Sequence, residues 1–193
     1  FSPDAEPRFF ASYNHLDQDI PSSVSRATAL SSPKATDPTS FSRDTERDVT
    51  SRRFSNRTTF FVGDVEASLG AYVVDKDLFH PLAFGVIDQK YRGYGATARA
   101  AGEGELFGLP NELLVGANVD SGRNDAKIFV NQQGQRGPLL ADANELSLNL
   151  DLFVEDRLRV TPQLTLVAGA QVNYADRELE DDFLADGDES GRK

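Results

Sequence analysis

Cysteine, methionine and tryptophan are absent from all 193 residues, and histidine occurs twice, as His15 and His80. Without thiols the chain carries no disulfide framework, no Cys-ligated zinc or iron–sulfur site and no thiol catalysis. Two separated histidines give no basis for a His-rich metal centre. Cations are the minority charge, 20 Lys and Arg against 31 Asp and Glu, for a net charge of −11. That balance works against general binding to nucleic-acid phosphates, which needs clustered Lys and Arg. No run approaches the ~20 apolar residues of a membrane-crossing helix, so average hydropathy alone describes a soluble acidic protein. An initiating Met and a basic-then-apolar leader are missing too. The chain opens on Phe1 and stops at Lys193 in a polar stretch, and both ends read as cuts.

What is present is strict alternation. Leu146, Leu148, Leu150, Leu152 and Val154 are interleaved with Ser147, Asn149, Asp151, Phe153 and Glu155. A period of two is a strand pattern, because a helix would spread these residues around its circumference. After Thr161-Pro162-Gln163 the pattern resumes as Leu164, Leu166, Ala168, Ala170, Val172 and Tyr174, which makes an antiparallel hairpin. Upstream, Val65 to Val73 alternates in the same way and is joined to a run over 54–62 by Gly63-Asp64. Segments 94–100, 113–119 and 8–15 repeat the behaviour. The chain reads as all-β, with about seven strands.

The connections alternate in length. Short ones fall at Gly63-Asp64, at about 103–111 and at 161–163. Long ones are expected at about 17–45, 77–90 and 122–143, with an acidic one at about 176–193. The first of these is low in complexity, 14 of its 29 residues being Ser, Thr or Pro, and is expected to be mobile because it cannot bury enough apolar area to offset its ordering entropy. Tight turns at one end and long loops at the other suit an outer-membrane barrel, with short periplasmic turns and long extracellular loops. Periodicity alone leaves a soluble all-β protein open, since either face could be the core. Two features favour the barrel. The polar faces carry Ser, Thr, Gly, Asn and Gln more than Lys and Glu, and the apolar faces are Ala- and Leu-rich without bulky aromatics.

Three stretches, NLDLFVED over 149–156, VTPQLTLVAGAQ over 160–171 and YADR over 174–177, resemble the barrel of TonB-dependent outer-membrane receptors. There a polar strand ending in Glu-Asp leads into a Thr-Pro turn, a second strand and a Tyr-x-x-Arg. SNRTTFFVGD over 55–64 is similar to the repeated barrel hairpins of that family, and LDQDIPSS over 16–23 to the entry of an extracellular loop. The resemblance implies a 22-stranded barrel closed by a plug domain, which imports scarce ligands such as ferric siderophores with inner-membrane energy delivered through TonB. The implied location is the bacterial outer membrane. The chain departs from the family pattern in having about seven strands, no plug or TonB-box segment and no terminal aromatic strand. It reads as roughly a third of such a barrel, needing the plug, the remaining strands and outer-membrane lipid as partners.

Other motifs have plainer readings. Gly93-Tyr94-Gly95-Ala96-Thr97-Ala98 matches a relaxed dinucleotide fingerprint, but that motif requires a following helix, whereas here the alternation continues and Gly102 and Gly104 intervene. Asp186-Gly187-Asp188-Glu189-Ser190-Gly191 matches the first half of a calcium loop, whose twelfth-position Glu would fall beyond Lys193; a solvated acidic loop is the preferred reading. No nucleophile motif appears and no carboxylate pair has a recognisable catalytic spacing, so neither an enzyme nor a cofactor is expected. By parity Arg53, Arg57, Tyr72, Tyr91, Arg99, Asp120, Asn149, Asp151, Gln171 and Asn173 face the lumen. Tyr72, Tyr91, Asp120 and Asn173, nearest the long-loop ends, are the candidates for lining a ligand path. A receptor fragment leads, a passive porin-like channel comes second, and a soluble β-rich binding protein is the reading from a different class.

Overall fold

The computed structural model describes residues 5–193. Strands β1 (Ala5–Asp19), β2 (Glu46–Val62), β3 (Val65–Leu82), β4 (Gly85–Leu106), β5 (Leu109–Gln132), β6 (Gln135–Thr161) and β7 (Leu164–Asp181) form one antiparallel sheet in chain order. A two-residue strand, β8 (Gly191–Arg192), adds to the β7 edge, and two short helices, α1 (Arg26–Ser31) and α2 (Pro38–Arg43), lie between β1 and β2. The seven long strands are those read from the alternation.

The register assigns every side chain to a face. Val73 pairs with Phe54 and Tyr94, Ala71 with Asn56 and Ala96, and Leu69 with Thr58 and Ala98. Ala96 continues the row through Val119, Leu150 and Tyr174. Apolar residues therefore line up across the sheet in one band, interrupted on β2 by Asn56 and Thr58. On β3 it runs from Val65 to Val73, nine residues, which is the length a tilted strand needs to cross hydrocarbon. Nothing packs on this band among the described residues. Leu152 is 61% exposed and Val172 68%, and among the described residues the largest fully buried side chains are Val86 and Pro81. The inward-facing leucine core of a soluble β protein is not formed. The fold is a segment of a transmembrane barrel wall, with its apolar face turned outward.

At the near end the hairpins close in two-residue turns. Gly63 has φ of 59°, and Phe107 and Gly108 both have positive φ, the primed turns whose twist matches that of the strands. At the far end the excursions are long, but two of them are strand and not loop. The ladder runs on to Leu82 and Gly85, and to Gln132 and Gln135, so the turns there are only 83–84 and 133–134. Alternation fades over 77–90 and 122–143 because both faces meet water there, while backbone pairing needs no amphipathic pattern to continue. Likewise 17–19 belong to β1 and 176–181 to β7, which leaves 182–190 as the acidic connection.

The segment 20–45 is shaped by its caps. Ser25 Oγ accepts from Thr28 N–H, and Asp37 Oδ1 accepts from both the N–H and the hydroxyl of Thr39, with Pro38 at the first helical position. These Thr39 bonds hold the Asp37 carboxyl below its ordinary range, so the cap persists above that range and is lost as pH falls through the lowered value. The end of α2 is pinned to the far-end hairpins. Asn131, 2% exposed, donates from Nδ2 to the carbonyls of Arg43 (2.8 Å) and Leu82 (2.9 Å), and its Oδ1 accepts from Gly134 N–H (2.8 Å). Arg43 returns a bond to the Asn131 carbonyl, and His80 Nδ1 donates to the Glu46 carbonyl. Three excursions thus meet in the best-buried part of the molecule. Asn131→Ala strands three backbone groups, and we expect it to cost about 2–3 kcal/mol locally. Hydrogen exchange should show protection falling at 40–46, 80–86 and 131–135 with the near-end turns unchanged.

Candidate ligand passage on the inner face

The inner face carries polar side chains and glycines in matched rows. Tyr72 and Asp120 lie in one row, separated by Gly95 on the strand between them. A Cβ at Gly95 would stand 2.5 Å from Tyr72 Cε1, 2.6 Å from Asp120 Oδ1 and 2.7 Å from the Val119 carbonyl. Glycine is what lets the tyrosine lie flat across β4 and donate its hydroxyl to Asp120 Oδ1 at 2.6 Å. The Arg53 guanidinium sits 5.1 Å from the same ring, a cation–π contact that fills the other side. Phe153 covers Gly116 in the same manner, with a built Cβ 2.2 Å from its ring. The paired glycines 93 and 95 thus serve aromatic packing inside a strand, and no helix follows them.

Toward the far end the face opens into a cavity of about 910 Å³. Its lining extends from Lys76 on β3 to Arg177 on β7, with Tyr91, Asn124 and Ser147 between and Lys193 beyond. Residues four strands apart can share one cavity only if the sheet is concave on this face. Tyr91 forms the floor, lying against Gly93 and Gly122. Arg177 is held by neutral oxygens, donating to the Leu148 and Asp176 carbonyls and to Asn149 Oδ1. Asn124 donates to Glu145 Oε2 at 2.9 Å, and Glu178 and Glu189 also line the cavity. Neither Lys76 nor Arg177 has an acidic partner within ion-pair distance among the described residues.

All ten residues assigned to the lumen by parity share this face. The four narrower candidates separate by depth. Tyr91 lines the cavity; Tyr72 and Asp120 lie four residues deeper and satisfy each other; Asn173, deeper still, donates to Asp151 Oδ1. Lys76, Asn124 and Glu145 were absent from the sequence-based list, Asn124 because it fell in the stretch 122–143 read as loop, Lys76 and Glu145 because they lie just outside the alternating runs. Arg177 appeared only within the Tyr-x-x-Arg motif, although its parity matches that of Asn173.

No group of three or more His, Asp or Glu stands in metal-binding geometry among the described residues. In the acidic turn, the side chain of Ser190 and then its N–H, which donates to Asp188 Oδ1, hold the Asp188 carboxyl below its usual range. Asp181 accepts from Phe183 and Glu189 N–H, so these oxygens are occupied in shaping the turn itself.

No family model matches the chain, and no curated protein matches it by sequence. Its fold is found in solved receptors. The ferric citrate transporter FecA in its unliganded form matches 99% of this chain with a TM-score of 0.85 at 11% identity. The alcaligin outer-membrane receptor FauA of Bordetella pertussis matches 100% at 0.71 and 13%. P. aeruginosa FpvA bound to heterologous pyoverdines matches 100% at 0.67 and 16%. The chain spans 29%, 28% and 30% of those three proteins. It therefore shares the fold of part of an outer-membrane β-barrel.

Gly95→Ala should displace Tyr72 from Asp120 and lower stability by about 1–3 kcal/mol. Thermal unfolding in detergent checks the direction. A double-mutant cycle checks the cause, because Tyr72→Phe should cost about 1 kcal/mol alone and close to nothing once Gly95 is alanine.

Proposed function

We propose that this chain is part of the barrel of an outer-membrane receptor for energy-coupled uptake of a scarce ligand, with a ferric siderophore or similar anionic iron chelate as the ligand class. The observation that carries the reading is the far-end cavity on the inner face. Two cations without acidic partners, Lys76 and Arg177, flank an aromatic floor, Tyr91. An anionic chelate gains charge-assisted hydrogen bonds from the first two and a flat apolar surface from the third. The printed ligands of the similar receptors, ferric citrate, alcaligin and pyoverdine, belong to this class. In this reading the far end is extracellular and Tyr72, Asp120 and Asn173 line the descent. A plug domain fills the lumen and meets the TonB system, and the segment makes and breaks no covalent bond.

The test uses the full-length receptor that contains this segment. Lys76→Ala with Arg177→Ala should weaken binding of an anionic ferric chelate about tenfold or more, measured by filter retention of radioactive iron, while Arg57→Ala on the deeper face changes it little. Uptake should cease when the inner-membrane proton gradient is collapsed. Uptake that persists unchanged would assign the barrel to passive diffusion, and unaltered binding in the double variant would remove the cavity from the ligand path.

A further inference from the structure

One row of the sheet puts opposite charges at the two ends of the far-end cavity. The register runs Lys76 on β3, Tyr91 on β4, Asn124 on β5 and Glu145 on β6, each directly across from the next. All four line the cavity. Strands lie about 4.8 Å apart, so the two charged residues stand about 14 Å apart along the sheet and nearer across its concave face. Tyr91 lies down over Gly93 and Gly122. The middle of the row is therefore a flat aromatic surface rather than a side chain that divides the cavity.

Neither charge is neutralised within the protein. Lys76 and Glu145 are both exposed, and neither enters an ion pair among the described residues. Glu145 takes one hydrogen bond, from Asn124 to Oε2, which leaves Oε1 without a partner among the described residues. Arg177 stands one row deeper, opposite Ser147, and gives its guanidinium to Asn149 and to carbonyls rather than to Glu145. Arg192 is taken by Asp176. The β3 side of the cavity is thus cationic, while the β6–β7 side presents Glu145 at the level of Lys76 and Arg177 below it. A purely anionic ligand is attracted by Lys76 and Arg177 but repelled by Glu145. A ligand that also carries a protonated amine turns that repulsion into a charge-assisted hydrogen bond.

We propose that the ligand of this cavity carries both signs of charge: an anionic iron chelate with a protonated amine, its chelating core over Tyr91 between Lys76 and Arg177 and its amine on Glu145. The proposal rests on the reading of the cavity as a chelate site and narrows the ligand class. Glu145 is then the residue that separates amine-bearing chelates from those that are anionic throughout.

The experiment uses the full-length receptor that contains this segment and two ferric tris-catecholates that differ at one group. One bears a primary amine on a short alkyl arm; the other has the same arm acetylated. Binding is read by equilibrium dialysis with radioactive iron. The parent should bind the amine form about tenfold tighter. Glu145→Gln keeps an acceptor for Asn124 and should abolish the preference, weakening the amine form about tenfold and leaving the acetylated form as tight or tighter. Loss of a negative charge acting only at a distance would tighten both anions, so the opposite signs identify a direct pairing. Glu155→Gln, on the same strand near the tight turns, should keep the full preference. A preference that survives Glu145→Gln overturns the proposal, as does its loss in Glu178→Gln alone. If the parent binds both forms equally and Lys76→Ala with Arg177→Ala weakens both, this proposal fails and the chelate reading stands. If the parent binds neither form, the chelate reading falls and this proposal with it.

Discussion

A backbone N–H or C=O in hydrocarbon has no water to bond, so every such group must find its partner within the sheet. That constraint explains where this sheet is regular and where it is not. The ladder is unbroken through the apolar band on every strand pair from β1–β2 to β6–β7. Its three register shifts fall between Ile128 and Phe129, between Phe129 and Asn131, and between Arg159 and Thr161, near the ends of the strands, where an unpaired group can be wetted. The same constraint acts on the flanks of β1 and β7. These strands do not pair with each other, and their side chains are almost all exposed. In lipid those flanks must meet further strands, which agrees with the 28–30% of each similar receptor that the chain spans.

Regular pairing then sets the chemistry of the two faces. Outside, apolar residues dominate the band, with Asn56, Thr58 and Ser121 among them, and small ones such as Ala67, Ala71, Ala96, Ala98 and Ala117 serve as well as large ones because no partner layer has to be filled. Inside, the wall borders water, and there glycine and aromatic residues are placed against one another. Tyr72 over Gly95 and Phe153 over Gly116 show the common geometry, in which an aromatic ring covers the exposed backbone of a neighbouring strand. Such a ring shields ladder hydrogen bonds from competing water without adding bulk to the lumen.

Much of this was legible in the sequence, for a reason that also marks its limit. Alternation exists where one face meets lipid and the other meets water, so the faces of 65–73, 94–100, 113–119, 146–154 and 164–174 could be read residue by residue. Beyond the band both faces are wet, alternation serves no purpose, and strand extensions such as 76–82 and 122–132 look like loops. The six-residue helices α1 and α2 are too short to show a period. Their caps, Ser25 and Asp37-Pro38, were the only available signal. The candidate site was legible to the same degree. Tyr72, Tyr91, Asp120 and Asn173 were placed on the correct face, but parity cannot say which polar group is already satisfied by a neighbour. That depends on cross-strand register, which is set by turn positions, and the turn at 107–108 had been bracketed only within 103–111.

Register separates the inner face into two zones with different capacities. In the deeper zone several polar groups pair among themselves: Tyr72 with Asp120, Asn173 with Asp151, and Arg157 with Glu155 near the tight turns. A ligand that engages these groups must break an existing bond for each one it makes, so the net gain from them is small. Higher up, Lys76 has no carboxylate within ion-pair distance, and Arg177 gives its hydrogen bonds to neutral oxygens. In the proposed reading an anion entering this zone meets these two cations beside the carboxylates of Glu145, Glu178 and Glu189, so it gains only where it sits nearer the former than the latter. The far-end mouth then selects by the placement of charge as well as by its sign.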